Sequence, residues 1–317
     1  MKRLLVTAGG TATAWHLVNV AREFFANDLC VHVADVNESY LVPAACLAKK
    51  FHKVPYSSDS KYIEAVQRII LDEDIDIIVP LIPEESLLFA RDSAFVKENR
   101  IGSSAPLIGV TKELTDKECL AKTLDRIGVP TPTIYESIND VEEDSFYMVK
   151  PKYGFGSIGI SIYSGKVLKC EKIDLDKVVI SEYCHDDDYD EVTVEVYNGK
   201  IGLHTYARRR VATKNGVCVK MIPVDNTLFD TYIRRLVNSI ECPTAFNAQF
   251  LYHHGQWKLF DCNLRLGAGT ALSTAAGFQL TRAFLAELIG LPVEESWLTP
   301  DCDIKSVLRV YREIVIK

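Results

Sequence analysis

The chain has 317 residues, of which 48% are hydrophobic, and its 43 acidic and 36 basic residues give a formal net charge of −7. Because both signs are interspersed and the balance is negative, we expect no concentrated positive surface and exclude nucleic acid as a partner. The nine cysteines form no C-x-x-C pair, and no apolar run approaches about 18 residues. We therefore expect a soluble cytoplasmic protein with reduced thiols, and exclude a membrane partner.

The first hundred residues alternate between short apolar runs and segments with helical spacing of apolar residues. The pattern predicts strands at residues 4–8, 31–35 and 75–81 and helices at 14–25 and 62–71. Strands that alternate with helices are typical of a parallel sheet. We predict an α/β fold that opens with a Rossmann-like domain over residues 1–104.

A linking helix is predicted next, because Thr115-Asp116-Lys117-Glu118 has the form of a capping box and Gly128 follows an apolar stripe. Beyond it, alternating segments predict strands at residues 178–180, 192–197, 201–206, 217–222 and 246–252, with a helix near 228–240. This part is expected to be α+β, with antiparallel sheets. We divide it into a small subdomain over residues 105–185 and a C-terminal subdomain over residues 186–317.

A glycine-rich turn follows the predicted strand that ends near Lys150. Gly154, Gly156 and Gly159 lie in this turn. Glycines let backbone N–H groups approach phosphate oxygens closely, and the lysine adds a fixed positive charge. The segment predicts a phosphate cradle, although an ordinary hairpin with flexible glycines has the same pattern.

A second polar pattern lies in a predicted hairpin near residue 255. Asp261, Asn263 and Arg265 share one side of an extended strand, and Gln249 would lie opposite them on its partner. Magnesium prefers oxygen ligands, and an arginine suits phosphate. The pattern therefore predicts a magnesium and phosphate site, with the solvent face of a hairpin as the alternative.

These two motifs, in this order behind a Rossmann-like domain, resemble the ATP-grasp superfamily, nearest its carbamoyl phosphate synthetase and biotin carboxylase type. The resemblance covers almost the whole chain and implies two antiparallel sheets that hold ATP between them. It implies a ligase that uses ATP and Mg²⁺, with Mn²⁺ as an alternative ion. A carboxylate would be activated as an acyl phosphate and joined to an amine, with release of ADP and phosphate.

The resemblance also assigns roles to residues. The catalytic group would be Arg265, Asn263 and Lys150. The nucleotide would contact Lys117, Lys150, Gly154, Gly156, Ser157, Glu182, Tyr183, Cys184 and Glu191, under a lid over residues 153–157. The metal would be held by Gln249, Asp261 and Asn263.

Two departures from the family pattern affect the metal and the acceptor. Asp261 stands where the family usually has glutamate, which leaves open whether one ion or two are bound. Gly267 and Gly269 follow Arg265, and their backbone donors could face the acceptor carboxylate, so we expect Gly269→Ala to change a substrate Michaelis constant.

Further substrate contacts are proposed from residue type alone, each with a bland alternative. Arg208 and Arg210 would clamp a carboxylate or the γ-phosphate, or form a solvated basic loop. Glu84 and Glu85 follow a parallel strand, where ligands usually bind, and Glu85 is our candidate for an amino group; capping of a helix is the alternative. The acidic run 186–188 is expected to be a solvated loop.

Three other functions stay open. Gly9, Gly10 and Asp35 would suit an NAD-dependent oxidoreductase, although G-x-G-x-x-G is absent. A nucleotide-binding regulatory protein without turnover and a fragment that acts in carbamoyl phosphate formation are the others. The substrates, a small carboxylate and an amine, are not identified by the sequence, and an apolar face on the first domain would suit a homodimer.

Overall fold

The computed structural model describes residues 1–154, 159–185, 190–311 and 313–316. Within these ranges the strands form three sheets, which lie at residues 2–103, 134–182 and 190–308. The first is parallel and the other two are antiparallel, so the predicted fold class is confirmed. The domain boundaries at residues 104 and 185 stay a prediction. Across the described residues, no helix combines the length and apolar character needed to cross a membrane.

The first sheet lies wholly in a described stretch and has the order β3-β2-β1-β4-β5. Its elements are β1 (Lys2–Val6), α1 (Ala12–Phe24), β2 (Leu29–Asp35), β3 (Lys50–Lys53), α2 (Tyr62–Asp72), β4 (Ile77–Val79), α3 (Pro83–Arg91), α4 (Ser93–Glu98) and β5 (Gly102–Ser103). Alternate residues of β1 pack into different cores: Leu4 and Val6 face one, and Leu5 faces the other. Helices cover both faces, as a parallel sheet requires.

The turn after β1 is held by Asp35 at the end of β2. The Asp35 carboxylate accepts hydrogen bonds from the Gly10 backbone N–H at 2.7 Å and from the Asn37 backbone and side chain at 2.9 and 2.8 Å. In a dinucleotide-binding domain this carboxylate would bind the ribose. Here it is buried and engaged with its own chain, so the structure does not present Asp35 as the ribose ligand that the NAD-dependent alternative needs.

The linking region is two helices, α5 (Ile108–Thr115) and α6 (Lys117–Arg126), and not the single helix predicted. Asp116 separates them and caps α6, because its carboxylate accepts from the backbone N–H groups of Glu118 and Cys119 at 2.9 and 3.0 Å. The predicted capping box at Thr115 is therefore wrong by one residue. Glu118 pairs with Lys122 and Lys152 and does not close the box.

The small antiparallel sheet has the order β6-β9-β7-β8 in the described residues. Its elements are β6 (Ile134–Tyr135), β7 (Phe146–Pro151), β8 (Ser161–Ser164), α7 (Gly165–Leu168) and β9 (Val178–Glu182). Tyr147, Val149 and Ile180 build its own small core. This core holds β7 in place, and with it Lys150 near the end of the strand.

The large antiparallel sheet spans a described stretch and has the order β14-β13-β10-β11-β12-β15. Its elements, with the helices that pack on it, are β10 (Asp190–Gly199), β11 (Gly202–Lys214), β12 (Val217–Pro223), α8 (Thr227–Ser239), β13 (Ala245–His253), β14 (Gln256–Asn263), α9 (Thr270–Ala275), α10 (Leu280–Ile289) and β15 (Val307–Leu308). One face packs on α8 through Phe229 and Ile233. The other face carries the polar pairs of β13 with β14, Asn247 with Asn263 and Gln249 with Asp261.

Candidate active site

Lys150 is a buried cation on β7. It is 7% exposed, and burial together with the neighbouring Lys117 lowers its pKa to about 8. Asp261 acts in the opposite sense and supplies nearby negative charge. Since a buried ammonium without a full counter-charge is costly, the site is arranged to receive an anion.

Lys117 is the first residue of α6 and reaches towards the glycine-rich turn. Its Nζ donates to the Gly154 carbonyl at 3.4 Å, and its backbone N–H donates to the Lys152 carbonyl at 3.2 Å. The structure therefore brings Lys117, Lys150 and Gly154 together. The predicted Gly156 and Ser157, most of the lid at 153–157, and the acidic run 186–188 lie outside the described residues.

The β13–β14 hairpin carries the predicted oxygen ligands. Gln249 pairs with Asp261 across the ladder. The Asn263 side-chain amide donates to Asp261 Oδ2 at 3.1 Å and to the Asn247 side-chain oxygen at 3.4 Å. Carboxylate and amide oxygens therefore cluster on one wall, where a hard cation such as Mg²⁺ would find its preferred ligands.

A bulge in β14 sets the direction of Asp261. Gln249 pairs with Asp261 whereas the next residue, Phe250, pairs with Leu259, so Phe260 is an extra residue without an opposite partner. A bulge shifts the alternation of side chains by one position. Leu259 can thus enter the core while Asp261, two positions on, faces the polar wall.

Arg265 follows β14 at a tight turn, where its backbone N–H donates to the Asn263 carbonyl at 2.8 Å. Burial lowers the pKa of its guanidinium, while Asp261 and Glu84 act against this shift. Nη1 donates to the Leu266 carbonyl at 3.1 Å, and Nε is buried without a hydrogen-bond partner among the described residues. A buried donor of this kind is available to an incoming anion.

Asn247 is a site residue that the sequence interpretation missed. It is 4% exposed on β13, and its side-chain amide donates to the Arg265 carbonyl at 3.3 Å. It therefore fixes the turn that directs the arginine. Its presence between apolar residues of a buried strand, two positions before Gln249, was the available signal.

One cavity lies between the β13–β14 hairpin and the first domain. Its wall includes Asp261, Asn263 and Arg265, together with Tyr153 from the turn after β7 and Glu84 from the first turn of α3. All three sheets thus contribute to it through residues at or near strand ends. A reactant in this cavity would meet a cation, an acid and amide oxygens at once.

Of the adjacent acids Glu84 and Glu85, the structure brings only Glu84 to the cavity. Glu85 is buried, where its carboxyl group accepts hydrogen bonds from the hydroxyls of Tyr62, at 2.7 Å, and Thr7. Burial raises the pKa of Glu85. It does not line the cavity, whereas the exposed Glu84 does.

The predicted adenine contacts lie at the end of β9. The Glu182 carboxylate accepts from the Thr133 backbone N–H at 3.1 Å and binds Lys258 Nζ at 2.6 Å. Burial alone would raise the pKa of Glu182, but Lys258 and the Thr133 bond lower it overall. Tyr183 stacks on His185, and Cys184 is buried beside them. These residues form a rigid edge next to Lys150.

The two candidate arginines of β11 are both engaged in ion pairs. Arg210 Nη1 lies 2.7 Å from Glu191 Oε2, which joins the predicted ribose acid to a predicted substrate contact. Arg208 is 3% exposed, and its Nη2 lies 3.0 Å from Oε1 of the fully buried Glu195. The structure does not bring Arg208 to the cavity, because it links β11 to β10 and, through Ser273, to α9.

The glycines after Arg265 permit close packing. The Gly267 N–H already donates to Thr270 Oγ1 at 3.1 Å and is therefore not open to a substrate. A Cβ on Gly269 would lie 2.0 Å from Arg208 Nη2. Thr270 also donates to Glu195 at 3.0 Å, so this segment closes over the buried ion pair.

The chain is similar to known proteins in sequence and in fold. Two family models match: a PylC-like N-terminal domain over residues 4–102 and an ATP-grasp of the biosynthetic pathway with the Ter operon over residues 176–310. No curated protein matches the chain.

Solved structures of low sequence identity share the fold. Pyruvate carboxylase from Rhizobium etli aligns with a TM-score of 0.75 at 14% identity, over 95% of this chain and 30% of that one. The biotin carboxylase domain of 2-oxoglutarate carboxylase from Hydrogenobacter thermophilus, in complex with MgADP, ADP and bicarbonate, has a TM-score of 0.75 at 15% identity, over 93% of this chain and 72% of that one. L-amino acid ligase from Bacillus licheniformis has a TM-score of 0.72 at 14% identity, over 95% and 78%.

Replacement of Lys150 by methionine should stabilise the ligand-free protein. The folded-state pKa of about 8 lies below the ordinary 10.5, so at neutral pH the folded protein carries a proton at a cost that the unfolded chain does not bear. We expect Lys150→Met to raise the free energy of unfolding by roughly 2–3 kcal/mol near pH 7. The advantage should shrink as the pH rises from about 8 towards 10.5, because the wild-type lysine then deprotonates. Urea unfolding at several pH values measures it.

The control for this experiment is Lys177→Met, since Lys177 is exposed and pairs with Asp174 at the surface. It should show no such dependence on pH. A Lys150→Met protein that is less stable than wild type at neutral pH would contradict the proposed cost of the buried charge.

Gly269→Ala should destabilise the protein through Arg208. The glycine has a φ of −79°, so backbone strain is not the reason. The new Cβ would displace the guanidinium from Glu195, and disruption of a buried ion pair costs about 3–5 kcal/mol. Thermal and urea unfolding measure the loss. Gly109→Ala is the matched control, because its Cβ would meet no atom within 4 Å, and it should leave stability nearly unchanged.

Proposed function

We propose that this chain, which belongs to the ATP-grasp superfamily, is a ligase that activates a carboxylate with ATP and joins it to an amine. The observation that carries the proposal is the nearness of Asp261 to two cations, the buried Lys150 and the partly buried Arg265. Asp261 affects the pKa of both Lys150 and Arg265. Lys150 for the phosphate, Asp261 for the metal and Arg265 for the reacting centre are therefore close enough to interact electrostatically.

ATP fits the row of groups from β9 to the hairpin. Lys117 and Lys150 would bind its phosphates, with Gly154 of the turn beside them. Glu182, Tyr183 and Cys184 would border the adenine, and Glu191, held by Arg210, would bind the ribose. The neighbour from Hydrogenobacter thermophilus binds MgADP on the same fold, which supports this assignment.

Magnesium fits the oxygen set on the hairpin. Asp261 would provide the carboxylate, and Asn263 and Gln249 would provide amide oxygens. When bound, the ion would neutralise phosphate charge during transfer. Because Asp261 is the single carboxylate among the three proposed ligands, we favour one ion over two.

The chain's own groups would act mainly by position and charge. A substrate carboxylate attacks the γ-phosphorus of ATP, ADP leaves, and an acyl phosphate forms; an amine then attacks the acyl carbon, loses a proton and releases phosphate. Arg265 would offset the negative charge that accumulates on the transferred group, and Asn247 would keep that arginine in place. Lys150 would hold the γ-phosphate in line for attack.

The carboxylate substrate is proposed to carry an ammonium group. Glu84 lines the same cavity as Arg265 and is close enough to act on the pKa of its guanidinium. No hydrogen bond or ion pair engages its carboxylate within the described ranges. An amino acid would place its carboxylate at Arg265 and its ammonium at Glu84. The similarity to an L-amino acid ligase agrees with this substrate class.

Turnover should require both substrates. We expect phosphate release from MgATP when an amino acid and an amine acceptor are both present, and a loss of about 10²-fold or more in Lys150→Ala. A coupled phosphate assay over a panel of carboxylates and amines measures it. Lys177→Ala should behave as wild type. ATP binding without turnover for any pair would favour the regulatory alternative, and phosphate release with bicarbonate and ammonia would favour the carbamoyl phosphate alternative.

Glu84→Gln should weaken amino acid binding selectively. The loss of a charge-assisted contact should raise the Michaelis constant for amino acids about 10–100-fold. The constant for ATP and the turnover number should change much less. Carboxylates without the amino group should not distinguish the variant from wild type. Glu64→Gln, on the exposed face of α2, is the control. An equal loss for both kinds of carboxylate would contradict the assignment.

A further inference from the structure

A cluster of two histidines and a glutamate lies on the first domain, away from the proposed active site. His32 is on β2, His52 is on β3, and Glu73 is the C-cap residue of α2. In the parallel ladder, His32 pairs with Lys50 and Ala34 pairs with His52. The two histidines are therefore diagonal neighbours on one face of the sheet.

The donor atoms of the cluster are close together. His32 Nδ1 lies 3.0 Å from His52 Nε2, and these two atoms and a Glu73 carboxylate oxygen all lie within 4.8 Å of one another. Ligands of a tetrahedral zinc ion, at about 2.0–2.1 Å from the metal, lie about 3.3 Å apart. The imidazoles would need to separate by a few tenths of an ångström, and the glutamate would need to approach them by a rotation of its side chain.

The contacts of the cluster suit a metal. His32 Nδ1 and His52 Nε2 contact each other directly, so one of these two nitrogens accepts and offers a lone pair. Glu73 is paired with Lys50, as a carboxylate would be. Without an ion, the N–H of one ring would donate a hydrogen bond to the nitrogen of the other. When an ion binds, the donating ring would change tautomer and carry its proton on its other nitrogen, as neutral imidazole can.

The surrounding charges can accommodate a divalent cation. Arg3 is neutralised by Asp74 at 2.7 Å, and its backbone N–H is bound by Asp76. Lys50 contacts Glu73, but its side chain is 53% exposed and can turn into solvent when an ion replaces it. A bound metal ion would therefore replace the Lys50 ammonium beside the Glu73 carboxylate.

We infer that His32, His52 and Glu73 form a binding site for a divalent transition-metal ion of the zinc class. Two imidazoles and one carboxylate are a typical set for such an ion, with water completing the coordination. The ion would join β2, β3 and α2. Glu73 precedes β4, and Glu84, which lines the cavity, follows it, so the two acids lie towards opposite ends of that strand. The ion would therefore stabilise the first domain without taking part in the reaction.

The test is metal binding by the full chain, after treatment with a chelator and in the presence of a reductant, without nucleotide. We expect calorimetry to show one zinc ion per chain that is lost or weakened about 100-fold in His52→Gln and in Glu73→Gln. Zinc should raise the unfolding temperature of wild type and not of these variants. His204→Gln, on β11, is the matched control and should bind as wild type does.

Cobalt binding distinguishes this site from the nine cysteines. We expect visible absorption of cobalt(II) with nitrogen and oxygen ligands, and no near-ultraviolet band from thiolate. Wild-type affinity in both variants, a thiolate band, or no binding would overturn the inference. Unfolding curves without metal show whether each variant is folded; if His52→Gln is not, Glu73→Gln alone decides. The outcome is independent of ligase activity.

Discussion

The negative charge of Asp261 is the constraint on which the site depends. Lys150 is buried and Arg265 is partly buried, and burial lowers the pKa of each. A folded protein tolerates such cations when an anion lies near, and the hairpin supplies that anion from a fixed backbone position. Asp261 therefore partly offsets the charges of Lys150 and Arg265 in the ligand-free protein.

The remaining positive charge has a chemical use. Lys117, Lys150 and Arg265 face two carboxylates, Asp261 and Glu84, which leaves the site with an excess of positive charge that a polyanion would offset. A separate buried pair, Glu195 with Arg208, joins β10 to β11 on the face of the sheet that carries Asn247 and Gln249. This stabilising ion pair and the proposed ligand groups therefore share one face of the large sheet, and the apolar core occupies the other.

The pattern of alternation was sufficient to predict much of this arrangement. The parallel first sheet followed from alternating strands and helices, and Asp261 was expected to face Gln249 because side chains alternate along a strand. Helix phase was harder to predict: adjacent residues of a helix point about 100° apart, so Glu84 and Glu85 could not be distinguished without the packing of α3. The capping residue was misplaced for a similar reason, since both Thr115 and Asp116 suit a cap.

Contacts between distant segments could not be predicted. The pairing of Arg208 with Glu195 depends on which face of β11 is covered by α9, and that depends on tertiary packing. The role of Asn247 depends on the tight turn at Arg265, whose geometry no local pattern indicates. Even a correct period of two would have failed along β14, because the extra residue Phe260 interrupts it.

That extra residue lets one strand serve both ends of the proposed nucleotide. Lys258 precedes the bulge and binds Glu182 at the adenine side, whereas Asp261 follows it at the phosphate side. In a regular strand these two residues, three positions apart, would point to opposite faces. The insertion aligns them on one face, so β14 directs one contact to each proposed end of the nucleotide. Deletion of Phe260 would restore the regular alternation and turn either Lys258 or Asp261 to the opposite face.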